Sequence, residues 1–154
     1  MARHDRFIGL AQRLANKNDF PRLGAKAHMY SQPLYRMAAV VVQGARVVSI
    51  GVNKWGGGES KNRMYANRAI HGELDAIHGI DPALLRGATI YISGWSKGNN
   101  LILSKPCDLC QRLIEQAGIK EIVYHDRDGN VVLEKTIMAE SGQRSKASRG
   151  LQYA

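Results

Sequence analysis

Two cysteines and a distant histidine are the residues of this chain best suited to chemistry. Cys107 and Cys110 are the only cysteines among 154 residues, and two residues separate them. His71 lies upstream and is followed two positions later by Glu73. Two thiolates and an imidazole suit a tetrahedral Zn²⁺, and three protein ligands leave the fourth position open for water. We therefore predict a catalytic zinc site held by His71, Cys107 and Cys110.

Glu73 is the predicted proton carrier of this site. A bound zinc ion can generate hydroxide from water but cannot move protons to a leaving group, so a nearby carboxyl group is needed. Residues two apart do not share a face of an ideal helix, so His71 and Glu73 can reach one site only from a first helical turn. We therefore expect a helix to begin at these residues, with the metal beyond its end.

The order His-x-Glu followed by Pro-Cys-x-x-Cys is the signature of zinc-dependent nucleobase deaminases. From about Arg36 to Glu134 the chain resembles the cytidine and deoxycytidylate deaminase superfamily, and Gly72 stands where many relatives have alanine. The matching stretches are residues 38–42, 48–53, 70–77, 106–110 and 117–124. The resemblance implies an α/β protein with the three-layer α-β-α cytidine-deaminase-like fold, in which a mixed sheet of about five strands is flanked by helices. It also implies that the two metal-binding helices lie side by side.

Apolar spacing and turn residues predict the elements that position these side chains. Helices are expected over residues 4–18, 70–78 and 106–116, and the last two carry the metal ligands. Strands are expected over residues 36–43, 46–50, 88–93, 121–124 and 131–133, with polar loops over 51–63 and 94–100. The alternation of strands and helices favours a layered α/β domain. We predict a single deaminase domain over residues 1–140 and a basic, flexible tail over 141–154.

The resemblance implies hydrolytic deamination of cytosine to uracil. In this hypothesis the zinc lowers the pKa of a bound water toward about 7, which makes hydroxide available at neutral pH. Glu73 takes the proton of the water, passes it to the ring nitrogen and finally protonates the departing ammonia. Because Glu73 is not a metal ligand in this scheme, its role is separate from zinc binding.

Substrate contacts are predicted near the ends of strands. Asn53 stands where relatives place an asparagine that holds the sugar or base edge, although a strand-end asparagine is also a common turn residue. Asp75 occupies the fifth motif position, where nucleotide deaminases often have asparagine. Trp55 and Trp95 are expected in loops that border the pocket, where stacking contributes about 1–3 kcal/mol per base; core packing is the alternative for each. Phosphate contacts are expected from several cations, with a solvated surface charge as the alternative for each: Lys54, Arg63, Arg68, Lys97 and Lys105.

Positive charge is concentrated at the two ends of the chain. The net charge is +9, of which residues 1–36 carry +5, residues 37–134 carry +1 and residues 135–154 carry +3. Such basic ends are typical of proteins that bind phosphate-rich partners, and solubility is the alternative explanation. The amino-terminal segment lacks the apolar run of a signal peptide, and no run is long enough to cross a bilayer. Two cysteines in a metal-ligand pattern favour a reducing compartment, so we expect a cytoplasmic protein without membrane contact.

The residues define the reaction class more sharply than the substrate. Cytosine in single-stranded DNA or RNA is the favoured substrate because of the basic ends and the tryptophans, and free dCMP is the alternative because of the resemblance of the core. Adenine deamination is less favoured, since Lys105 replaces the glutamate usual before Pro-Cys in tRNA-editing relatives. A further alternative is a non-enzymatic, zinc-stabilised nucleic-acid-binding module. It would need a fourth metal ligand from His78 or from His125, which is expected in a loop.

Overall fold

The computed structural model describes residues 2–18, 35–55, 69–96 and 98–137. In chain order these residues form α1 (Ala2–Asn16), β1 (Tyr35–Gln43), β2 (Arg46–Val52), β3 (Lys54–Trp55), β4 (Ala69–Ile70), α2 (Gly72–Ile77), α3 (Pro82–Leu85), β5 (Thr89–Ser96), α4 (Asp108–Gln116), β6 (Glu121–His125) and β7 (Val131–Lys135). No helix within these ranges combines the length and the apolar character that a membrane span requires.

Five strands form one mixed sheet in the order β2-β1-β5-β6-β7. Strands β5 and β6 are parallel, and the other neighbouring pairs of this sheet are antiparallel. The central strands β1 and β5 contain long buried runs, as expected for strands that are covered on both faces. Helices lie on both faces of the sheet, so the predicted three-layer α-β-α arrangement is confirmed.

Helix α1 covers one face of the sheet through an apolar stripe. Phe7, Ile8 and Ala11 lie on one side of this helix and are buried. Each large apolar side chain that is fully buried contributes about 1.5–3 kcal/mol to folding, so this stripe holds α1 on the sheet. The stripe packs on alternate residues of three strands: Val40, Val42, Tyr91 and Val123.

Helices α2, α3 and α4 cover the opposite face. Ala76, Leu85 and Ile114 project from these helices into a second buried cluster. Successive side chains of a strand point to opposite faces, so the strands that contact α1 also supply this cluster. The sheet contributes Ala39, Val41, Ile90, Ile92, Ile122 and Tyr124. This second layer is the one that carries His71 and Cys107 at its helix starts.

Gly51 lets α2 lie directly against the edge strand β2. A Cβ atom at this position would overlap the backbone of Gly72 and lie 2.8 Å from the Cα of Ala76. No larger residue fits there unless the helix moves. The backbone N–H of Val52 also donates to Asp75 Oδ2 at 3.1 Å, which joins the end of β2 to α2. These contacts determine where α2 begins.

Several predicted boundaries are wrong because tertiary strand pairing overrides the local sequence signal. Strand β5 continues to Ser96, since its residues pair with β1 as far as Tyr35. Trp95 therefore lies in a strand and not in the predicted loop. His125 is the last residue of β6 and pairs with Val131, where we expected a loop position. Helix α2 starts at Gly72 and not at residue 70.

The sequence does not predict three short elements. Helix α3 lies between the predicted helix over 70–78 and the predicted strand over 88–93. Its start follows ordinary capping rules, because Asp81 Oδ1 accepts the N–H of Ala83 and Pro82 begins the helix. Strands β3 and β4 pair with each other, and β3 lies inside the predicted loop over 51–63. The rest of that loop and the predicted tail over 141–154 lie outside the described residues.

Candidate metal centre and active site

The predicted metal ligands lie at the starts of two neighbouring helices. His71 immediately precedes α2, and Cys107 holds the same position before α4. Neither side chain caps its own helix through a hydrogen bond, so both are available to a metal ion. Cys110 lies in the first turn of α4. Helices α2 and α4 contact each other, and the positive end of a helix dipole favours a thiolate at its amino terminus.

The spacing of the three ligand atoms fits Zn²⁺. His71 Nδ1 lies 3.6 Å from Cys107 Sγ and 3.3 Å from Cys110 Sγ, and all three atoms lie within 4.8 Å of one another. A tetrahedral Zn²⁺ with bonds of about 2.0–2.1 Å to nitrogen and 2.3 Å to sulfur holds such atoms about 3.6 Å apart. Both cysteines are free thiols. The donor set and its dimensions are therefore those of a zinc site.

Among the residues that the structure describes, no other histidine, cysteine or acidic residue joins this group as a fourth ligand. His78 lies at the carboxyl end of α2 and is exposed. His125 is buried, and its Nδ1 forms a hydrogen bond with Ser93 Oγ at 3.2 Å. Neither residue supplies the fourth ligand that a closed structural zinc site needs. Three ligands and an accessible fourth position are the arrangement of a catalytic zinc site.

The buried thiol of Cys110 depends on a cation for its ionisation. Burial raises the pKa of this thiol, and the nearby Glu73 and Cys107 raise it further. Without a metal ion the neutral thiol is therefore favoured. A divalent cation reverses this balance through its own charge, so metal binding must release the thiol proton.

Glu73 lies beside the metal group without belonging to it. Its side chain is only 5% exposed, and burial raises the pKa of its carboxyl group. Its own backbone N–H, the charge of His71 and a hydrogen bond with Cys110 lower the pKa in part. A raised pKa makes a carboxylate a better proton acceptor, and the protonated group can still release that proton to a more basic site. This environment suits the proton-carrier role that the sequence suggests.

A cavity of about 780 Å³ opens over the metal group. His71, Glu73 and Cys107 line it, which gives a ligand direct access to the candidate catalytic groups. Cavities of about 300–1,000 Å³ bind small ligands and combine an apolar lining with a few polar groups. This cavity has that character, because its further lining residues include apolar and cationic side chains: Met37, Leu101–Leu103, Lys105 and Arg127.

Asn53 lines the cavity at the end of β2, but most of its hydrogen-bonding capacity is used within the protein. Its Oδ1 accepts the backbone N–H of Met37 at 2.8 Å and Nδ2 of Asn18 at 2.6 Å. Its Nδ2 donates to the carbonyl oxygen of Tyr35 at 2.9 Å. The backbone partners fix the orientation of the amide. Within the described residues one Nδ2 hydrogen has no acceptor, so Asn53 can donate to a substrate but is poorly placed to accept from one.

Two other predicted contact residues differ in their surroundings. Lys105 lines the cavity, and its Nζ lies 3.5 Å from Glu134 Oε1. Asp75 does not line the cavity; its Oδ1 lies 2.7 Å from Lys54 Nζ and its Oδ2 accepts the N–H of Val52. In this structure Asp75 joins α2 to the end of β2.

Trp95 does not form part of the predicted stacking surface. Trp95 Nε1 donates to the carbonyl oxygen of Gln12 in α1 at 2.9 Å, and Trp95 does not line the cavity. Its predicted contact with substrate therefore has no support from the geometry. The side chain of Trp55 lies outside the described residues, as do three predicted phosphate contacts, Arg63, Arg68 and Lys97.

Sequence reasoning missed Arg127, Tyr35 and Met37, all of which line the cavity. Arg127 lies in the turn after β6, which is parallel to β5. The carboxyl ends of parallel strands meet at one edge of a sheet, and ligands bind there in open α/β sheets. The polar segment from Asp126 to Asn130, directly after an apolar strand, is the signal that could have placed Arg127 near the site.

The match to a family model completes the assignment. Residues 4–126 match the model for the cytidine and deoxycytidylate deaminase zinc-binding region, which covers most of the chain. Together with the α-β-α fold and the His71, Cys107 and Cys110 group, this match defines a zinc-dependent deaminase, a class of enzymes that act on carbon–nitrogen bonds. The chain belongs to the cytidine and deoxycytidylate deaminase family.

Solved structures of low sequence identity share this fold. The dCMP deaminase from the cyanophage S-TIM5, in its apo form, has 16% identity and a TM-score of 0.50, covering 80% of this chain and 82% of that chain. The diaminohydroxyphosphoribosylaminopyrimidine deaminase/5-amino-6-(5-phosphoribosylamino)uracil reductase from Thermotoga maritima has 24% identity and a TM-score of 0.51, covering 84% and 31%. Acinetobacter baumannii RibD, form 2, has 15% identity and a TM-score of 0.50, covering 81% and 28%. Comparison with curated proteins finds no match. The structural similarities confirm the predicted cytidine-deaminase-like fold.

Proposed function

We propose that this protein is a zinc-dependent hydrolase that deaminates cytosine in a free nucleotide and converts dCMP to dUMP. The observation that carries the proposal is the cavity of about 780 Å³, which brings His71, Cys107 and Glu73 together with the cations Lys105 and Arg127. The volume lies in the range of small-molecule sites. A cation on the cavity wall can pair with the phosphate of a mononucleotide.

One further observation favours a free nucleotide over a strand. Trp95, one of two tryptophans on which the predicted polynucleotide preference depends, contacts α1 and not the cavity.

In the proposed reaction His71, Cys107 and Cys110 would hold a Zn²⁺, which would supply the Lewis acidity that lowers the pKa of a water toward about 7. Glu73 accepts the proton of the attacking water on a carboxylate oxygen and delivers it to the ring nitrogen of the base. A bond forms between the oxygen and C4, and the bond between C4 and the amino nitrogen breaks. Glu73 also takes the hydrogen that remains on that oxygen and delivers it to the leaving nitrogen, so cytosine and water become uracil and ammonia.

Cytosine in single-stranded DNA or RNA is the second candidate substrate. It is favoured by the net charge of +9, most of which belongs to residues 1–36 and 135–154. Basic segments of this kind supply the phosphate contacts of nucleic-acid-binding proteins. The non-enzymatic zinc module has less support, because the described residues offer no fourth metal ligand.

A side-by-side comparison of substrates tests the proposal. The zinc-loaded protein is given dCMP, deoxycytidine and a cytosine-containing oligonucleotide at several salt concentrations, and ammonia release is measured. We expect dCMP to react fastest and to depend little on salt. Reaction of the oligonucleotide alone, with a log-log salt slope of about −0.7 per phosphate contact, would establish the second candidate instead. Release of ammonia from none of these substrates would contradict both.

A further inference from the structure

Arg127 is a cation on the wall of the cavity. It is exposed, lies in the turn between β6 and β7, and lines the same cavity as Glu73 and Cys107. Within residues 2–18, 35–55, 69–96 and 98–137, no acidic side chain forms an ion pair with it. A guanidinium group that faces a cavity without a protein partner is available to an anionic ligand.

The acidic residue next to Arg127 does not neutralise it, because that carboxylate builds the turn. Asp126 Oδ1 accepts the backbone N–H groups of Asp128 and Asn130, each at 2.9 Å. These backbone hydrogen bonds, above all the one with Asn130, hold the pKa of Asp126 below its usual value. The carboxylate therefore stays directed at its own turn, while Arg127 projects to the cavity wall.

Lys105, the second cation on this wall, is partly neutralised by an acidic side chain. Its Nζ lies 3.5 Å from Glu134 Oε1, and the same oxygen accepts the hydroxyl of Tyr124 at 2.7 Å. Arg127 has no such partner in the described part of the chain, so its charge contributes more to the potential inside the cavity. The two cations follow the carboxyl ends of β5 and β6, where a ligand phosphate can contact both.

We propose that Arg127 binds the phosphate of the nucleotide whose base lies at Glu73, and that it makes the enzyme selective for nucleotides over nucleosides. This inference rests on the proposed function. A guanidinium group binds phosphate through two parallel hydrogen bonds, a geometry that lysine cannot reproduce. The family match ends at residue 126, so Arg127 lies outside the matched region. The ligand group is a 5′-phosphate, which either a free nucleotide or a strand can supply.

The test separates binding of the phosphate from turnover. Binding of dCMP, deoxycytidine and a cytosine oligonucleotide is measured by calorimetry with zinc-loaded protein in a Glu73→Gln background, where the ligands persist. Arg127→Ala and Arg127→Lys are compared in that background, and kcat/KM is measured for the same substitutions with Glu73 intact. Arg112→Ala is the matched control, because Arg112 is an exposed arginine of α4 that does not line the cavity.

We expect Arg127→Ala to weaken dCMP binding by about 10- to 100-fold, as the loss of a charge-assisted hydrogen-bond pair implies. Binding of deoxycytidine should change less than about twofold, since it has no phosphate to lose. Arg127→Lys should recover part of the affinity, and Arg112→Ala should behave like the parent protein. The ratio of kcat/KM values for dCMP and deoxycytidine should fall by the same factor as the affinity for dCMP.

Two outcomes would overturn the inference. One is an equal loss of dCMP and deoxycytidine binding in Arg127→Ala, which would indicate a structural role. The other is a ratio of the affinities for dCMP and deoxycytidine that is the same in Arg127→Ala as in the parent protein. If Arg127→Ala weakens binding of the oligonucleotide and leaves binding of dCMP unchanged, Arg127 binds the phosphate of a strand. The proposal that the substrate is a free nucleotide is then wrong. Should the protein bind dCMP through Arg127 yet deaminate nothing, the inference stands and the proposed function fails.

Discussion

The metal centre and the cavity rim are built in different ways. The metal centre, His71, Cys107 and Cys110, comes from the starts of two helices in one packed layer. The cavity rim, defined here as Leu101–Leu103, Lys105 and Arg127, comes from the segments that follow the parallel strands. Most rim side chains are partly or fully exposed, whereas Cys110 and the adjacent Glu73 are buried. The difference implies that variants at the centre should abolish chemistry, and variants at the rim should change which substrate is accepted.

Removal of one ligand should break the metal centre and give the largest effect. We expect Cys110→Ala to lose its zinc and all measurable deaminase activity, because two remaining ligands cannot hold the ion tightly. Zinc content per chain after dialysis, measured by atomic absorption, checks this outcome. Retention of one zinc per chain by this variant would contradict the ligand assignment.

Glu73→Ala is the matched comparison for that experiment. Glu73 lies beside the metal group and is not part of it. The variant should therefore keep its zinc while ammonia release falls by about 10²- to 10⁴-fold, the usual contribution of general acid–base catalysis. Loss of zinc together with activity would show that Glu73 supports the metal instead of carrying protons.

A smaller effect is expected where the core supports the centre. Gly51→Ala places a Cβ against the backbone of Gly72 and Ala76, so α2 must shift. We expect a loss of about 1–3 kcal/mol in the free energy of unfolding, the usual cost of overpacking, together with weaker zinc binding. Urea unfolding of the apo and zinc-loaded forms measures both.

Gly9→Ala in α1 is the control for this substitution. A Cβ at Gly9 would lie 3.5 Å from the side chain of Arg13, which is an ordinary contact. Because alanine favours a helix over glycine, this variant should be neutral or up to about 1 kcal/mol more stable. Equal behaviour of the two variants would mean that close packing of β2 on α2 does not position the metal centre.

The metal centre could be predicted from sequence because its signals are local. Cys107 and Cys110 are separated by less than one helical turn, and His71 and Glu73 share another helix start, so few conformations let these groups meet. The core strands could also be predicted from sequence, since the apolar runs of β1 and β5 extend over several residues. For these elements local spacing and tertiary structure agree.

The cavity rim could not be predicted in the same way because its residues meet only in the folded chain. Lys105 and Arg127 are separated by α4 and β6. The polar segment after β6 places Arg127 at a strand end, but it does not indicate that Lys105 lines the same cavity. Trp95 shows that the local sequence can also indicate the wrong element. The polar residues around it indicate a loop, but pairing with Arg36 of β1 keeps it in the sheet.

The smallest expected effect concerns a buried histidine beneath the rim. His125 and Ser104 are joined twice, since the N–H of His125 donates to Ser104 Oγ at 2.9 Å and the N–H of Ser104 donates to the carbonyl oxygen of His125 at 3.0 Å. Burial lowers the pKa of the His125 ring, although Asp126 opposes this in part. The unfolded chain therefore binds a proton at this position more readily than the folded chain does. The free energy of unfolding should fall as the pH drops below about 6.5 toward the lowered folded-state value.

His125→Gln removes this proton linkage while keeping a polar side chain near Ser93. In urea unfolding between pH 7.5 and 5, the parent protein should lose stability more steeply than the variant, by at most about 1.4 kcal/mol per pH unit. His78→Gln should keep the parent slope, because His78 is exposed. Equal slopes for the parent and His125→Gln would show that His125 titrates normally. A steeper parent slope would place the acid-sensitive link next to the rim, because Ser104 lies between Leu103 and Lys105 in the segment that leads to Cys107.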